Sequence, residues 1–149
     1  MNAMREQSQS VWMDVVVAPA AVPLSENAQA DVAVIGAGMA GLSIAYELSL
    51  RGHSVLVLDR GPIAGGMTAR TTAHLAPICD DSLAELLSMR GKELARGFQA
   101  SQSAAVDRIE AIQRELNIDC EFRRLEGILF LDPNSDQSVL DDEVSAAGE

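Results

Sequence analysis

Three glycines with the spacing GxGxxG, within residues 36–41, are the residues whose type and spacing best indicate a chemistry. In this pattern the first glycine permits a tight turn, the second lets backbone approach a pyrophosphate, and the third lets a helix pack closely on a strand. The N-terminus of the following helix adds free N–H groups and the positive end of its dipole. The residues predicted to bind the diphosphate of a dinucleotide are Gly36, Gly38, Met39, Ala40 and Gly41.

An acidic residue follows the glycines at the distance that a dinucleotide site requires. Asp59 lies 23 positions after Gly36, where a carboxylate can accept hydrogen bonds from ribose hydroxyls. The same charge would repel a 2′-phosphate, which disfavours NADP. The pattern alone does not separate FAD from NAD, and it also occurs in glycine-rich turns that bind no nucleotide, where Asp59 would only cap a loop.

The elements around this motif are predicted from apolar runs and glycines. Residues 31–35 and 54–58 are short apolar segments typical of buried strands. Between them a helix is predicted, ending near Gly52. Strand, helix and strand in this order form a right-handed parallel βαβ unit. The predicted inner face of the helix consists of Leu42, Ala45, Tyr46 and Leu48.

The rest of the chain is predicted to be mainly helical. Residues 60–80 are loop-like, and one long helical region runs from about 82 to 117, with Gly91 and Gly97 weakening its first half. Two strands of a hairpin are predicted at 121–124 and 127–131, followed by a helix at 136–147. Because parallel sheets usually have more than two strands and are covered on both faces, the sequence is interpreted as the first part of a larger protein.

Composition limits the function classes. The 149 residues are 48% hydrophobic, which argues against a disordered chain, and the net charge of −11 makes nucleic acid an unfavourable partner. No apolar run reaches 18 residues, so no membrane span is predicted. Cys79 and Cys120 have no metal-binding spacing, so no metal site is predicted; both are expected to be small buried residues. The low cysteine count favours a cytoplasmic location.

Residues 31–59 and the segment GGMTARTTAHL at 65–75 resemble the D-amino-acid-oxidase/glycine-oxidase superfamily of flavoproteins. The TARTTAHL stretch is most similar to the branch of γ-glutamylputrescine oxidase-like enzymes and flavoproteins with a C-terminal Rieske domain. Residues 8–12 resemble the N-terminal arm of that branch, and residues 117–129 resemble the start of its substrate domain. The likeness spans about residues 8–145.

This resemblance implies FAD as cofactor and oxidation of amines or amino acids by hydride transfer to the flavin. It places the glycines and Asp59 at the ADP half of FAD, with Arg60 beside the adenosine. Small hydroxyl side chains suit phosphate and ribityl oxygens. The residues implied along the pyrophosphate, ribityl chain and isoalloxazine are Thr68, Thr71, Thr72 and His74. For His74 an ordinary surface role is the alternative, and no catalytic residue is assigned.

Two adjacent arginines, Arg123 and Arg124, match a substrate carboxylate chemically. Adjacent strand residues point to opposite faces, so at most one of them would face a substrate. The favoured interpretation is surface pairing with Glu121 and Glu126.

The resulting fold class is α/β. A Rossmann-type βαβ FAD-binding segment precedes a long helical region and the start of an antiparallel substrate domain. The predicted divisions are an N-terminal arm at 1–30, an FAD-binding segment at 31–117 and the beginning of the substrate domain at 118–149. Family members return to the flavin domain after the substrate domain. A truncated chain is therefore expected, with a separately encoded downstream half as partner. The alternatives are an inactive nucleotide-binding remnant and an NAD-dependent Rossmann enzyme.

Overall fold

The computed structural model describes residues 8–15, 21–78 and 82–148. The chain divides into two compact units, Met1–His74 and Leu75–Glu149. The first contains β1 (Val32–Ile35), α1 (Met39–Leu50), β2 (Val55–Leu58) and a 3-10 turn at Met67–Arg70. The second contains α2 (Leu83–Arg90), α3 (Lys92–Glu115) and α4 (Ser138–Ala147). The divisions predicted at residues 30 and 117 stay predictions.

The first unit is built on the predicted βαβ motif. β1 and β2 form a parallel two-stranded sheet in which Val32 pairs with Val55 and Ile35 with Leu58. Parallel neighbours require a crossover, and α1 supplies it. Gly52, at φ +85°, follows the end of α1, as predicted for a residue that terminates a helix. The predicted parallel unit is therefore confirmed.

A side-chain clasp joins the beginnings of the two strands. Asp31 Oδ2 accepts hydrogen bonds from the N–H and the hydroxyl of Ser54, at 2.8 and 2.7 Å. In return, the backbone N–H of Asp31 donates to Ser54 Oγ at 2.9 Å. Hydrogen bonds from the Ser54 hydroxyl and N–H favour the ionised carboxylate, so they lower the pKa of Asp31. These hydrogen bonds stabilise the register of the sheet at the end where both strands begin.

Small residues form the interior of the first unit. Val34, Ala37, Ala45 and Ala64 are its buried hydrophobic residues within the described ranges. Of the predicted inner face of α1, Ala45 is buried, whereas Leu42, Tyr46 and Leu48 are half-buried. Among the described residues of this unit no buried side chain is larger than valine. A single helix covers a sheet of two strands, which leaves much apolar surface in contact with water.

In the second unit, the predicted helical region over 82–117 consists of two helices. Gly91 has φ +76°, a conformation outside the helical region, and it separates α2 from α3. The predicted helical region is therefore present but divided at Gly91, one of the two glycines expected to weaken its first half. Gly97 lies inside α3 without interrupting it. Ser82 and Glu85 form a reciprocal capping box that begins α2.

The C-terminal helix contacts α2 directly. Both oxygens of Glu143 in α4 accept backbone hydrogen bonds from the first turn of α2, from Leu83 N at 2.9 Å and Ala84 N at 3.0 Å. These N–H groups have no partner inside their own helix, so the carboxylate satisfies them and complements the helix dipole. The predicted helix at 136–147 is confirmed as α4, beginning two residues later.

The predicted hairpin at 121–124 and 127–131 is wrong for this structure. Residues 118–137 are all described and contain no helix or strand. The two residues between the predicted strands, Leu125 and Glu126, are unsuited to the positive φ angles of a tight hairpin turn. Glu121 has φ +52°, which is not a strand conformation. An isolated hairpin is also marginally stable in water.

The cysteine prediction is also corrected. Cys120 is exposed rather than buried, because it lies in the irregular segment that follows α3. Cys79 lies outside the described residues. No helix in the described ranges is both long and apolar enough to cross a membrane.

Candidate nucleotide-binding site

The glycine-rich turn joins β1 to α1 with close backbone contacts. Gly36 has φ +108°, a conformation that favours glycine, and its N–H donates to the carbonyl of Leu58 at 2.7 Å. A Cβ on Gly41 would lie 1.9 Å from Gly36 O and 3.3 Å from Val34 Cγ1. Only glycine fits at residue 41 while α1 stays this close to the turn.

Gly38 is the N-cap residue of α1 and cannot cap the helix with a side chain. Instead, the N–H of Met39 donates to the hydroxyl oxygen of Thr68 at 2.9 Å. A Cβ on Gly38 would lie 3.3 Å from the same oxygen. The first turn of α1 contains no acidic residue, so no side-chain charge there opposes an anion at the positive end of the helix dipole.

Asp59 ties the end of β2 to the glycine-rich turn. Its Oδ2 accepts from the N–H of Ala37 at 2.7 Å, and its Oδ1 accepts from the N–H of Gly61 at 2.8 Å. These two hydrogen bonds lower the pKa of Asp59, with the one from Ala37 contributing most. Each carboxylate oxygen has a second lone pair, so Asp59 can order the loop and still accept from ribose hydroxyls.

The loop after Asp59 returns to the glycine-rich turn. The N–H of Ala64 donates to the carbonyl of Ala37 at 2.8 Å, and Ala64 is buried with φ +58°. Further along, Nη1 of Arg70 donates to the carbonyls of Gly65 and Gly66, at 3.3 and 2.8 Å. These contacts hold the 3-10 turn that carries Thr68.

The structure brings some of the predicted site residues together and leaves others apart. Thr68 contacts the N-terminus of α1, and Thr71 lies at the end of the same 3-10 turn, where its hydroxyl accepts from the N–H of Ala73 at 3.0 Å. Arg60, Thr72 and His74 are exposed. The predicted contacts of these three residues with FAD stay predictions.

Two features of this site were not among the predicted site residues. Ala64 links two loops in a positive φ conformation, and its residue type gives no signal of that role. Ser10 and Trp12 contact the 3-10 turn: Ser10 Oγ donates to the carbonyl of Ala69, and Trp12 Nε1 donates to the carbonyl of Thr71 at 2.8 Å. Their only signal was the resemblance of residues 8–12 to an N-terminal arm.

Arg124 forms ion pairs with residues of α3. Its guanidinium contacts Glu110 Oε2 at 2.6 Å and also pairs with Asp107. The hydrogen bonds that the guanidinium donates to Asp107 and Glu110 raise the pKa of Arg124. The favoured surface role is supported, although the partners differ from the expected Glu121 and Glu126. Within the described residues, no group of three or more His, Cys, Asp or Glu side chains is arranged to hold a metal ion.

Comparison with known proteins identifies the family. A family model described as FAD dependent oxidoreductase matches residues 31–148. A Bacillus subtilis protein named as a Rieske 2Fe-2S iron–sulfur protein, YhfW, is 31% identical over 126 residues, which cover 85% of this chain and 25% of the relative. The γ-glutamylputrescine oxidoreductase of Escherichia coli is 29% identical over 114 residues, 76% of this chain and 26% of the relative.

A third relative, the oxidoreductase OrdL of Haemophilus influenzae, is 28% identical over 102 residues, 68% of this chain and 24% of the relative. The chain thus spans about a quarter of the length of these relatives. No solved structure matches. The family match selects FAD over NAD, the choice that the glycine spacing left open. From its residues 31–148, this chain belongs to the family of FAD-dependent oxidoreductases.

Proposed function

We propose that residues 31–74 bind FAD, by its ADP half first, in an oxidoreductase that acts on amines or amino acids. One observation carries this proposal: α1 begins at a glycine with no side-chain cap, its first turn contains no acidic residue, and a threonine hydroxyl lies within hydrogen-bond distance of the Met39 N–H. A diphosphate needs such a combination of backbone donors, open space and a small hydroxyl group.

The roles of individual residues follow from their positions. The first turn of α1 offers backbone N–H groups to the diphosphate, and the Thr68 hydroxyl donates to a phosphate oxygen while remaining beside Met39. Asp59 accepts from the ribose hydroxyls with its remaining lone pairs, and Arg60 lies next to the adenosine. The loop after the 3-10 turn, with Thr71, Thr72 and His74, is proposed to run along the ribityl chain and the isoalloxazine.

FAD, when bound, supplies the capacity to accept a hydride from the carbon beside an amine nitrogen. The described residues of this chain bind and orient it. The amine or amino-acid class is supported by the similarity to γ-glutamylputrescine oxidoreductase, whose name states its substrate. We further propose a cytoplasmic protein in which residues 31–117 form a Rossmann-type FAD segment and residues 118–149 begin the substrate domain.

The chain covers about a quarter of its relatives, so the complete activity is proposed to need the remaining three quarters. These supply the rest of the substrate domain and the return to the flavin domain, in the same polypeptide or as a separately encoded downstream half. A flavin held only at its ADP half lacks the ordered geometry that hydride transfer requires.

FAD affinity of a Gly38→Val variant tests the proposed site. The branched side chain would displace the Thr68 hydroxyl, which lies 3.3 Å from the position of a Cβ, and would fill the approach to α1. We expect titration by flavin fluorescence to show FAD binding by wild type and none by Gly38→Val. Gly127→Val is the matched control, because a Cβ there meets nothing within 4 Å. Unchanged FAD affinity in Gly38→Val would refute the assignment.

Turnover distinguishes an enzyme from a nucleotide-binding remnant. Residues 1–149 with FAD are assayed on amines and amino acids with an artificial electron acceptor, alone and with the downstream segment of a relative supplied in trans. We expect activity only in the second mixture. FAD binding without activity in either mixture would favour the remnant.

A further inference from the structure

The N-terminal arm contacts the loop that carries the proposed flavin-binding threonines. Ser10 Oγ donates to the carbonyl of Ala69, and Trp12 Nε1 donates to the carbonyl of Thr71 at 2.8 Å. These partners are 59 positions apart in the sequence. Both acceptors are backbone carbonyls, so the arm recognises the path of the loop rather than its side chains. We name residues 10–12 the arm turn.

The arm turn is itself ordered by local hydrogen bonds. The N–H of Trp12 donates to Ser10 Oγ at 3.1 Å, and the N–H of Met13 donates to the carbonyl of Ser10 at 3.1 Å. The Ser10 hydroxyl therefore accepts one hydrogen bond from the arm and donates another to the loop. This arrangement presents the serine hydroxyl and the indole N–H together.

The carbonyls that the arm turn holds lie one residue and three residues beyond Thr68. Thr68 is the residue whose hydroxyl contacts the N–H of Met39 at the start of α1. No peptide bond in the described chain is cis. In a trans peptide the N–H points opposite to the preceding carbonyl, so holding the Thr71 carbonyl directs the N–H of Thr72 away from Trp12.

We propose that Ser10 and Trp12 are positioning residues for FAD. They fix the backbone at Ala69 and Thr71 so that Thr71 and Thr72 keep the arrangement that the flavin half of the cofactor requires. This inference rests on the proposed function. Neither residue contacts the cofactor in this scheme; each acts through the loop.

The test compares FAD and ADP binding by the full chain, using Ser10→Ala, Ser10→Thr and Trp12→Phe. Ser10→Ala and Trp12→Phe each remove one hydrogen bond to the loop, and Trp12→Phe retains an aromatic ring. We expect each to weaken FAD about two- to tenfold, with a smaller effect on ADP, because ADP lacks the flavin half. Ser10→Thr retains the hydroxyl, so its FAD affinity should stay close to that of wild type. Val11→Ala is the control, because Val11 is an exposed neighbour in the same turn.

Hydrogen exchange provides a readout that needs no cofactor. The backbone amides of residues 68–74 should exchange faster in Trp12→Phe than in wild type, and those of α1 should not. Equal loss of FAD and ADP affinity, or unchanged FAD affinity in both hydrogen-bond variants, would overturn the positioning role while leaving the proposed function intact. A wild-type chain that binds neither FAD nor ADP would overturn the proposed function and this inference together.

Discussion

Gly41 and Gly97 both lie inside helices, but their surroundings predict opposite effects of an added methyl group. At Gly41 a Cβ would overlap Gly36 O at 1.9 Å, whereas at Gly97 it meets nothing within 4 Å. We expect Gly41→Ala to lower the free energy of unfolding by at least about 1–3 kcal/mol, because backbone must move. Gly97→Ala should raise it by about 0.5–1 kcal/mol through helix propensity.

Urea unfolding followed by circular dichroism measures both changes. FAD titration should show a loss of affinity in Gly41→Ala only, since the displaced turn is the proposed diphosphate site. Equal stability of Gly41→Ala and wild type would mean that α1 packs less closely on the turn than the structure shows.

The ionisation of Asp59 is expected to make the free energy of unfolding depend on pH. Its pKa in the folded protein is lowered below the ordinary 3.8 by hydrogen bonds from Ala37 and Gly61. The ionised form therefore stabilises the folded state above pH 3.8, and this contribution is lost as the pH falls through the lowered value. Asp59→Asn should be less stable than wild type near neutral pH, with a difference that shrinks as the pH falls through the lowered pKa of Asp59.

Acid unfolding curves of wild type and Asp59→Asn, followed by circular dichroism, test this prediction. Asp31 titrates in the same direction in both proteins, so its effect cancels in the comparison. A difference that stays constant over the whole range would show that the charge of Asp59 does not stabilise the loop.

Individual residues were predictable where spacing alone dictates geometry. The glycine pattern and Asp59 are separated by a strand, a turn and a helix of ordinary length, so their proximity follows from the βαβ order. Three other features depend on the paths of loops. They are the contact of Thr68 with Met39, the burial of Ala64 and the hydrogen bond from the Trp12 indole to Thr71. Loop paths are set by many weak contacts between distant residues, which no local pattern encodes.

At the level of secondary structure, the contact between α2 and α4 depends on one carboxylate. Glu143 accepts from Leu83 N and Ala84 N. Replacing Glu143 by alanine leaves two helix-terminal N–H groups without this partner. We expect the free energy of unfolding to fall by about 0.5–2 kcal/mol, as it does when a helix cap is removed. Asp142→Ala is the matched control, since it removes the neighbouring exposed acid.

Thermal unfolding of both variants gives the measurement, with the helical signal at 222 nm as the probe. We expect Glu143→Ala to unfold at lower temperature and Asp142→Ala to stay within error of wild type. Equal behaviour of the two variants would mean that water satisfies the first turn of α2 equally well.

Helices and strands were predictable where residues close in the sequence determine them. The two strands, α1 and α4 follow from apolar periodicity and glycine positions. The break at Gly91 was signalled by its residue type, but its φ of +76° depends on how α2 and α3 pack. The hairpin prediction failed because apolar residues such as those at 128–131 form a stable strand only when a partner strand is present.

The whole chain leaves large apolar side chains in contact with water. Leu125, Ile128 and Phe130 are 84%, 80% and 78% exposed, and Ile35 on β1 is 78% exposed. Among the described residues, no large side chain is less than 2% exposed. Exposed apolar surface of this kind marks a place for a partner or for further chain. The relatives, four times as long, contain enough chain to cover it.

Residues 1–149 alone should therefore bind the dye ANS and self-associate, because exposed apolar groups attract one another in water. Size-exclusion chromatography and ANS fluorescence are measured for the chain alone and for the chain co-expressed with the downstream three quarters of a relative. We expect the partner segment to reduce ANS fluorescence and give one defined species. FAD should then raise the unfolding temperature more in the complex than in the chain alone, because a ligand stabilises a folded protein more when it binds that protein more tightly. A single defined species with little ANS binding from residues 1–149 alone would contradict this prediction, and it would mean that self-association or internal packing already covers Ile35 and the residues around Ile128.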